Sequence, residues 1–185
     1  LGNRVGVYAL QVGMDEAARI GLDVETADAL MGRPMGIPKT GIFGLYDLIG
    51  IDLMADVVKT LGVILPEGDA FHAVGENNPL AATIDTMIVD GYTGDKGKGG
   101  FYRLDDQGGE LAMDLATGQT RPRQSSLPPK ALRAADTLAM GGEPLLDLIN
   151  PTDDGDADQV TFCRHVLARV LGYAASLIPD VTTSP

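Results

Sequence analysis

Apolar residues recur at helical spacing through residues 5–20, VGVYALQVGMDEAARI, and they do so along more than one line: Val5, Tyr8 and Val12 on one, Leu10, Met14, Ala17 and Ala18 on another. A helix apolar on several faces is predicted to be largely buried. Asp23, with Glu25 behind it, predicts a second helix over ETADALM, because a side-chain oxygen can cap free amides and a carboxylate suits the positive helix end. In IPKTGIFGLYDLIGID, residues 37–52, Pro38 and Gly41 mark a loop, IFGLYDLI makes two helical turns and Gly50 ends them. Asp52 is then placed to cap LMADVVKTL, whose apolar stripe at 53, 54, 57, 58 and 61 faces a core.

Asn78 followed by Pro79 reads as the start of a fifth helix ending near Gly91, since proline in the first turn forfeits no helical hydrogen bond. TGDKGKGG is loop, and FYRL and ELAMDL around DDQGG predict a small β-hairpin with exposed edges. Residues 116–130 carry three prolines and read as connecting structure. ALRAADTLAM and EPLLDLIN read as short helices, TDDGDAD as a solvated acidic loop, and 159–178 as a long helix. EAARIGLDVET at 16–26 is echoed by YAASLIPDVTT at 173–183, which suggests that a second copy of the opening pattern begins there.

Composition narrows the function classes. The chain has 185 residues, 44% apolar and 22% charged, enough for one core of ordinary size and too few for two full domains. A net charge of −12 repels phosphate backbones and anionic lipid, so neither nucleic acid nor a membrane is an expected partner. No apolar run is long enough to span a bilayer, and no signal-peptide pattern opens the chain. The single cysteine, Cys163, allows no internal disulfide and points to a reducing, cytoplasmic setting. Leu1 at one end and PDVTTSP at the other give both ends the look of cuts.

Candidate chemistry is sparse. TGDKGKGGF holds glycines and lysines but precedes a hairpin rather than a helix, so it reads as a turn and not as a phosphate cradle. No GxGxxG opens a strand-to-helix unit, which leaves these residues without a cofactor-binding fingerprint. A calcium loop starting at Asp154 requires glycine where Gln159 stands and glutamate where His165 stands, so Asp153, Asp154, Asp156 and Asp158 predict no metal site. His72 and His165 have no nucleophile in a recognised arrangement, and Cys163 and His165 do not share a helical face. Asp47 and Asp52 are explained by capping and interhelix hydrogen bonds. Asn3, just ahead of the first apolar helix, is either its N-cap or a polar amide presented at the domain edge.

Three motifs in order, GNR before the long apolar helix, GIFGLYDLIGID, and DKGKGGFYR, resemble the C-terminal domain of L-3-hydroxyacyl-CoA dehydrogenases, more narrowly that of the multifunctional fatty-acid oxidation proteins with a fused enoyl-CoA hydratase. The resemblance implies a mainly α fold, a helical domain of the kind that ends 6-phosphogluconate dehydrogenase, with a small β-hairpin. Its implied organisation is a helical domain over 1–104, hairpin and connecting segment over 105–157, and the start of a second helical repeat over 158–185. In that family a Rossmann domain binds NAD and supplies a catalytic histidine, and the helical domain adds an asparagine; carried over, this is Asn3. An amide donor near the developing carbonyl holds substrate and imidazole in position. Where many members have a PMGP-type loop this chain reads PKTGI, and Lys39, Thr40 and Phe43 are the implied substrate-binding residues for acyl-CoA. The expectation is a piece that is inactive without the missing NAD-binding domain and that self-associates through helical surfaces. Two alternatives stay open: a non-catalytic helical assembly module, and a dehydrogenase of small hydroxy acids.

Overall fold

A computed structural model describes residues 2–75, 77–152, 155–179 and 181. The chain runs α1 (Gly2–Ile20), α2 (Val24–Leu30), a 3-10 turn (Arg33–Met35), α3 (Phe43–Ile49), α4 (Ile51–Ile64), α5 (His72–Gly75), α6 (Ala81–Asp90), β1 (Tyr102–Leu104), β2 (Glu110–Met113), β3 (Thr120–Pro122), α7 (Pro129–Ala139), α8 (Leu145–Ile149) and α9 (Ala157–Ser176). The fold is mainly helical with a small antiparallel sheet.

α1 is the axis of the molecule. Residues 8–17 are buried all round it, as its several apolar lines require. At Gly13 an added Cβ would meet Ile42 and Met31 side-chain atoms at 2.5 and 2.7 Å, so the glycine lets α2 and the following loop close on the helix. α9 covers another side. It runs antiparallel to α1, with Tyr8 stacked on Tyr173 at 3.9 Å between centroids and Arg169 bonded to Asp15 and Glu16 at 2.6 and 2.5 Å. Those carboxylates are buried; Arg169 and Arg19 compensate their charge, and His165 Nδ1 lies within hydrogen-bond distance of Glu16 at 3.0 Å.

Asp23 caps α2 through the Thr26 amide, and Gly50, at φ 113°, separates α3 from α4, both as the sequence predicts. Elsewhere the structure corrects the reading. Asn3 lies inside the first turn of α1 rather than ahead of it. Asp52 also lies inside its helix and pairs with Lys96 at 2.7 Å. α6 begins at Ala81, and Asn78 instead accepts from the Leu80 amide. α5, a single turn, follows the Asp69 turn, which no apolar periodicity marks.

The hairpin is a three-stranded sheet of order β1-β2-β3. The third strand pairs Leu111 with Pro122 and Ala112 with Arg121, in a segment whose prolines read as connection. Pro122 is tolerated because β3 is an edge strand. The acidic loop before α9 is not wholly solvated either: Asp156 is buried against Lys130 at 2.9 Å, with the Thr152 hydroxyl at 2.6 Å. Asp158 is exposed in the first turn of α9, where negative charge suits the helix end. Asp153 and Asp154 lie outside the described residues.

Candidate functional site

The second and third motifs meet in space. The Asp47 carboxylate, on α3, accepts from the Phe101 and Tyr102 amides at 2.9 and 2.8 Å, and its carbonyl accepts from the Asp95 amide. This contact needs glycine. A Cβ on Gly100 would sit 1.9 Å from Asp47 Oδ1, and one on Gly94 would sit 2.2 Å from the Asp47 carbonyl oxygen. The loop lysines are used structurally too: Lys98 donates to the Asp90 carbonyl at the end of α6, and Lys96 pairs with Asp52. The glycine-rich loop is therefore a turn that lets a helix carboxylate take hold of a strand.

Asp28, on α2, completes the arrangement. One carboxylate oxygen accepts from the Ile42 and Phe43 amides at 2.6 and 2.7 Å, the other from Gly44 at 3.0 Å and the Tyr102 hydroxyl at 2.8 Å. It caps α3 from a different helix, which the lack of a local capping side chain at Ile42 calls for. Gly41, at φ 69°, has room for no Cβ against Asp28. Burial pushes the Asp28 carboxyl up to about 6 against the pull of its four donors. Burial likewise raises Asp47 to about 7, with Asp95 and Asp28 adding negative potential and the two amides opposing.

Beside this staple opens a cleft of about 710 Å³ between α2, the 3-10 turn, loop 38–42, the sheet, residues 123–127 and α7. Lys39 and Thr40 line it. Phe43 does not: it is 0% exposed, set edge-on against Phe101 at 4.8 Å, and anchors the loop from inside the core. Asn3 is exposed and is not among the cleft residues. It stands about 15 Å along α1 from Gly13, by helical rise, where the segment leading to the cleft packs. The structure brings Lys39 and Thr40 together and leaves Asn3 apart.

Asn3 is nevertheless held in a defined place. Its neighbour Arg4 donates to the Tyr173 hydroxyl at 2.7 Å and forms an ion pair with Asp69, and Tyr173 donates to Asp69 at 2.9 Å. The first turn of α1 is thereby tied to α9 and to the turn before α5. A second buried network, in which Gln11 bonds both Tyr46 and Asn78, joins α1 to α3 and to the turn before α6.

The family model for the 3-hydroxyacyl-CoA dehydrogenase C-terminal domain matches residues 1–104, the span that holds all three motifs and both carboxylate staples. The chain belongs to that family. Over 184 residues it is 40% identical to a Rickettsia prowazekii protein carrying the name fatty acid oxidation complex trifunctional enzyme, covering 100% of this chain and 23% of the relative. A Rickettsia felis protein of the same name is 41% identical over 115 residues, 62% of this chain and 16% of its own length. A Bacillus subtilis protein named as a 3-hydroxyacyl-CoA dehydrogenase is 25% identical over 182 residues, 98% of this chain and 22% of the relative. The chain thus spans less than a quarter of the length of these curated relatives. No solved structure matches it.

The family generally uses NAD, and the residues described here do not fit it. The three described strands are antiparallel, and the glycine-rich loop leads into β1 with Gly94 and Gly99 bridged to each other, so no strand–glycine turn–helix is present to receive a pyrophosphate. No described helix is long and apolar enough to cross a membrane.

Proposed function

We propose that this chain is the helical part of an NAD-dependent enzyme that oxidises L-3-hydroxyacyl-CoA to 3-oxoacyl-CoA in fatty-acid β-oxidation, and that Asn3 is the residue it contributes to the reacting centre. The observation that carries the reading is the first turn of α1: Arg4 is fixed by Asp69 and Tyr173 while the adjacent Asn3 is exposed. An amide carried on a fixed helix turn can donate to a substrate oxygen with little reorganisation, which is what stabilising a developing carbonyl requires. Lys39 and Thr40 then serve the acyl-CoA from the cleft, and Phe43 serves it indirectly by seating their loop. NAD belongs to a nucleotide-binding domain outside these residues, so the chain by itself is inactive. Its single cysteine, buried, suits a cytoplasmic enzyme.

The register of α1 against α9 supports the second repeat from residue 158. In the echo, position 16 corresponds to 173 and position 8 to 165. Tyr8 contacts Tyr173 and Glu16 contacts His165, so the two contacts are exchanged by the correspondence, as in a two-fold pairing of like helices. Exposed apolar residues on α4, Leu53 and Ile64 among them, suit self-association through helical surfaces, and a monomer by light scattering at micromolar concentration would count against it.

The deciding experiment assays the full-length protein with acetoacetyl-CoA and NADH beside short free keto acids. Turnover of the CoA ester supports the reading. Turnover of the free acids alone makes it an enzyme of small hydroxy acids, and no turnover leaves an assembly module.

A further inference from the structure

The first turn of α1 is poorly held by its own residues. Gly2 and Gly6 flank Asn3 and Arg4, and a Cβ at either glycine would meet nothing within 4 Å, so packing does not call for them. Glycine is a weak helix former, and a helix start also leaves its first amides without an intrahelical acceptor. Burial does not hold the turn either, since none of residues 2–7 is buried whereas residues 8–17 all are. What holds it comes from two other places in the chain. Arg4 donates from Nε to the Tyr173 hydroxyl at 2.7 Å, and its Nη2 pairs with Asp69. Tyr173, on α9, is 3% exposed and seated by its stack on Tyr8. Its hydroxyl donates to Asp69 Oδ1 at 2.9 Å, and that oxygen also accepts from the amide of Phe71, a fully buried residue, at 2.8 Å. Arg4 is thereby moored to the core through side chains remote in sequence.

We infer that Tyr173 and Asp69 are positioning residues for Asn3: they fix Arg4, and through it the helix turn that carries the Asn3 amide. The inference rests on the Asn3 reading above and deepens it. It makes α9 a support of the reacting centre, although α9 lies wholly beyond the residues 1–104 that match the family domain. A donor that stabilises a developing carbonyl must be in place before the reaction begins, and a small displacement of it is costly. Lys39 and Thr40 stand in the cleft, apart from this network, so losing the mooring slows turnover rather than weakening substrate binding. In Tyr173 the two duties are separable: the ring packs on Tyr8, and the hydroxyl alone joins Arg4 to Asp69.

The test uses the full-length protein, assayed with acetoacetyl-CoA and NADH. Tyr173→Phe deletes the hydroxyl and leaves the stacked ring, and Arg4→Lys keeps a charge for Asp69 but loses the fork. Each is expected to lower kcat about tenfold while KM changes less than about twofold. Made on an Asn3→Ala background, the same changes should lower kcat less than about twofold further, because the group they position is gone; a merely structural role would cost as much on both backgrounds. Hydrogen exchange gives a second readout. In Tyr173→Phe the amides of Gly6 and Val7, which bond back to the Gly2 and Asn3 carbonyls, should exchange faster while residues 10–17 keep their protection. Unchanged kcat in both variants, equal losses on both backgrounds, or a loss of protection spread along all of α1 would each overturn the inference. If Asn3→Ala leaves turnover untouched, the Asn3 reading falls and the inference falls with it. A slow Asn3→Ala enzyme beside undiminished Tyr173→Phe and Arg4→Lys enzymes would sink the positioning role alone and leave the dehydrogenase reading standing.

Discussion

A handful of atoms at Asp47 decide whether the sheet is joined to the helices. Gly100→Ala would drive a Cβ to 1.9 Å from Asp47 Oδ1, which forces the carboxylate off two buried amides. We expect a loss of about 3 kcal/mol in urea unfolding, two unsatisfied donors partly offset by relaxation. The same carboxylate sets a pH dependence. Its folded value of about 7 lies above its ordinary 3.8, and Asp28, at about 6, acts in the same direction. Between those limits the folded chain binds more protons than the unfolded one, so the contribution is fully present below about 3.8 and falls as pH rises through 7. The unfolding midpoint should be lower at about pH 8 than at about pH 5. Asp47→Asn turns an amide group toward one N–H donor, so it should be less stable at both pH values yet show a flatter slope between them. An unaltered slope would remove Asp47 as its source.

Among the elements, α7, α8 and α9 are joined by one side chain. Lys130 is 0% exposed and donates to the Asp147 and Asn150 carbonyls at 2.9 and 2.7 Å while pairing with Asp156. Lys130→Met keeps the volume and leaves Asp156 without its main counter-charge, so roughly 3 kcal/mol should be lost. Burial opposes ionisation of Asp156, but the Thr152 hydroxyl and Lys130 together hold it at about 2, below its ordinary 3.8. Its stabilisation is present above 3.8 and is lost as pH falls through 2; in the methionine variant that acid-side loss should be shallower. Acid titration of both proteins by circular dichroism checks it. None of this was legible in the chain, where Lys130 follows two prolines and Asp156 sits among other acids. A buried ion pair between residues far apart in sequence leaves no periodic trace. Asp28 was missed for the same reason: its partners lie 14 to 74 positions away.

At the scale of the whole molecule, Asn3 tests the functional reading. On that reading, Asn3→Ala in the full-length protein should lower kcat about a hundredfold with little change in thermal stability, because the side chain is exposed at a helix end. A stability loss with normal turnover would return it to a purely structural role. What the sequence determined by itself was local: helix and turn positions follow from the 3.6-residue spacing of apolar side chains and from glycines such as Gly50 that tolerate positive φ, and the order of three motifs carried the family. What only the tertiary structure decided was which of these pieces touch. That Asp47 grips Phe101, that Lys39 and Thr40 share a cleft from which Asn3 is absent, and that β3 joins the sheet are consequences of packing. Burial makes an unpaired polar group costly, and the partner that relieves it is chosen by nearness in space rather than in sequence.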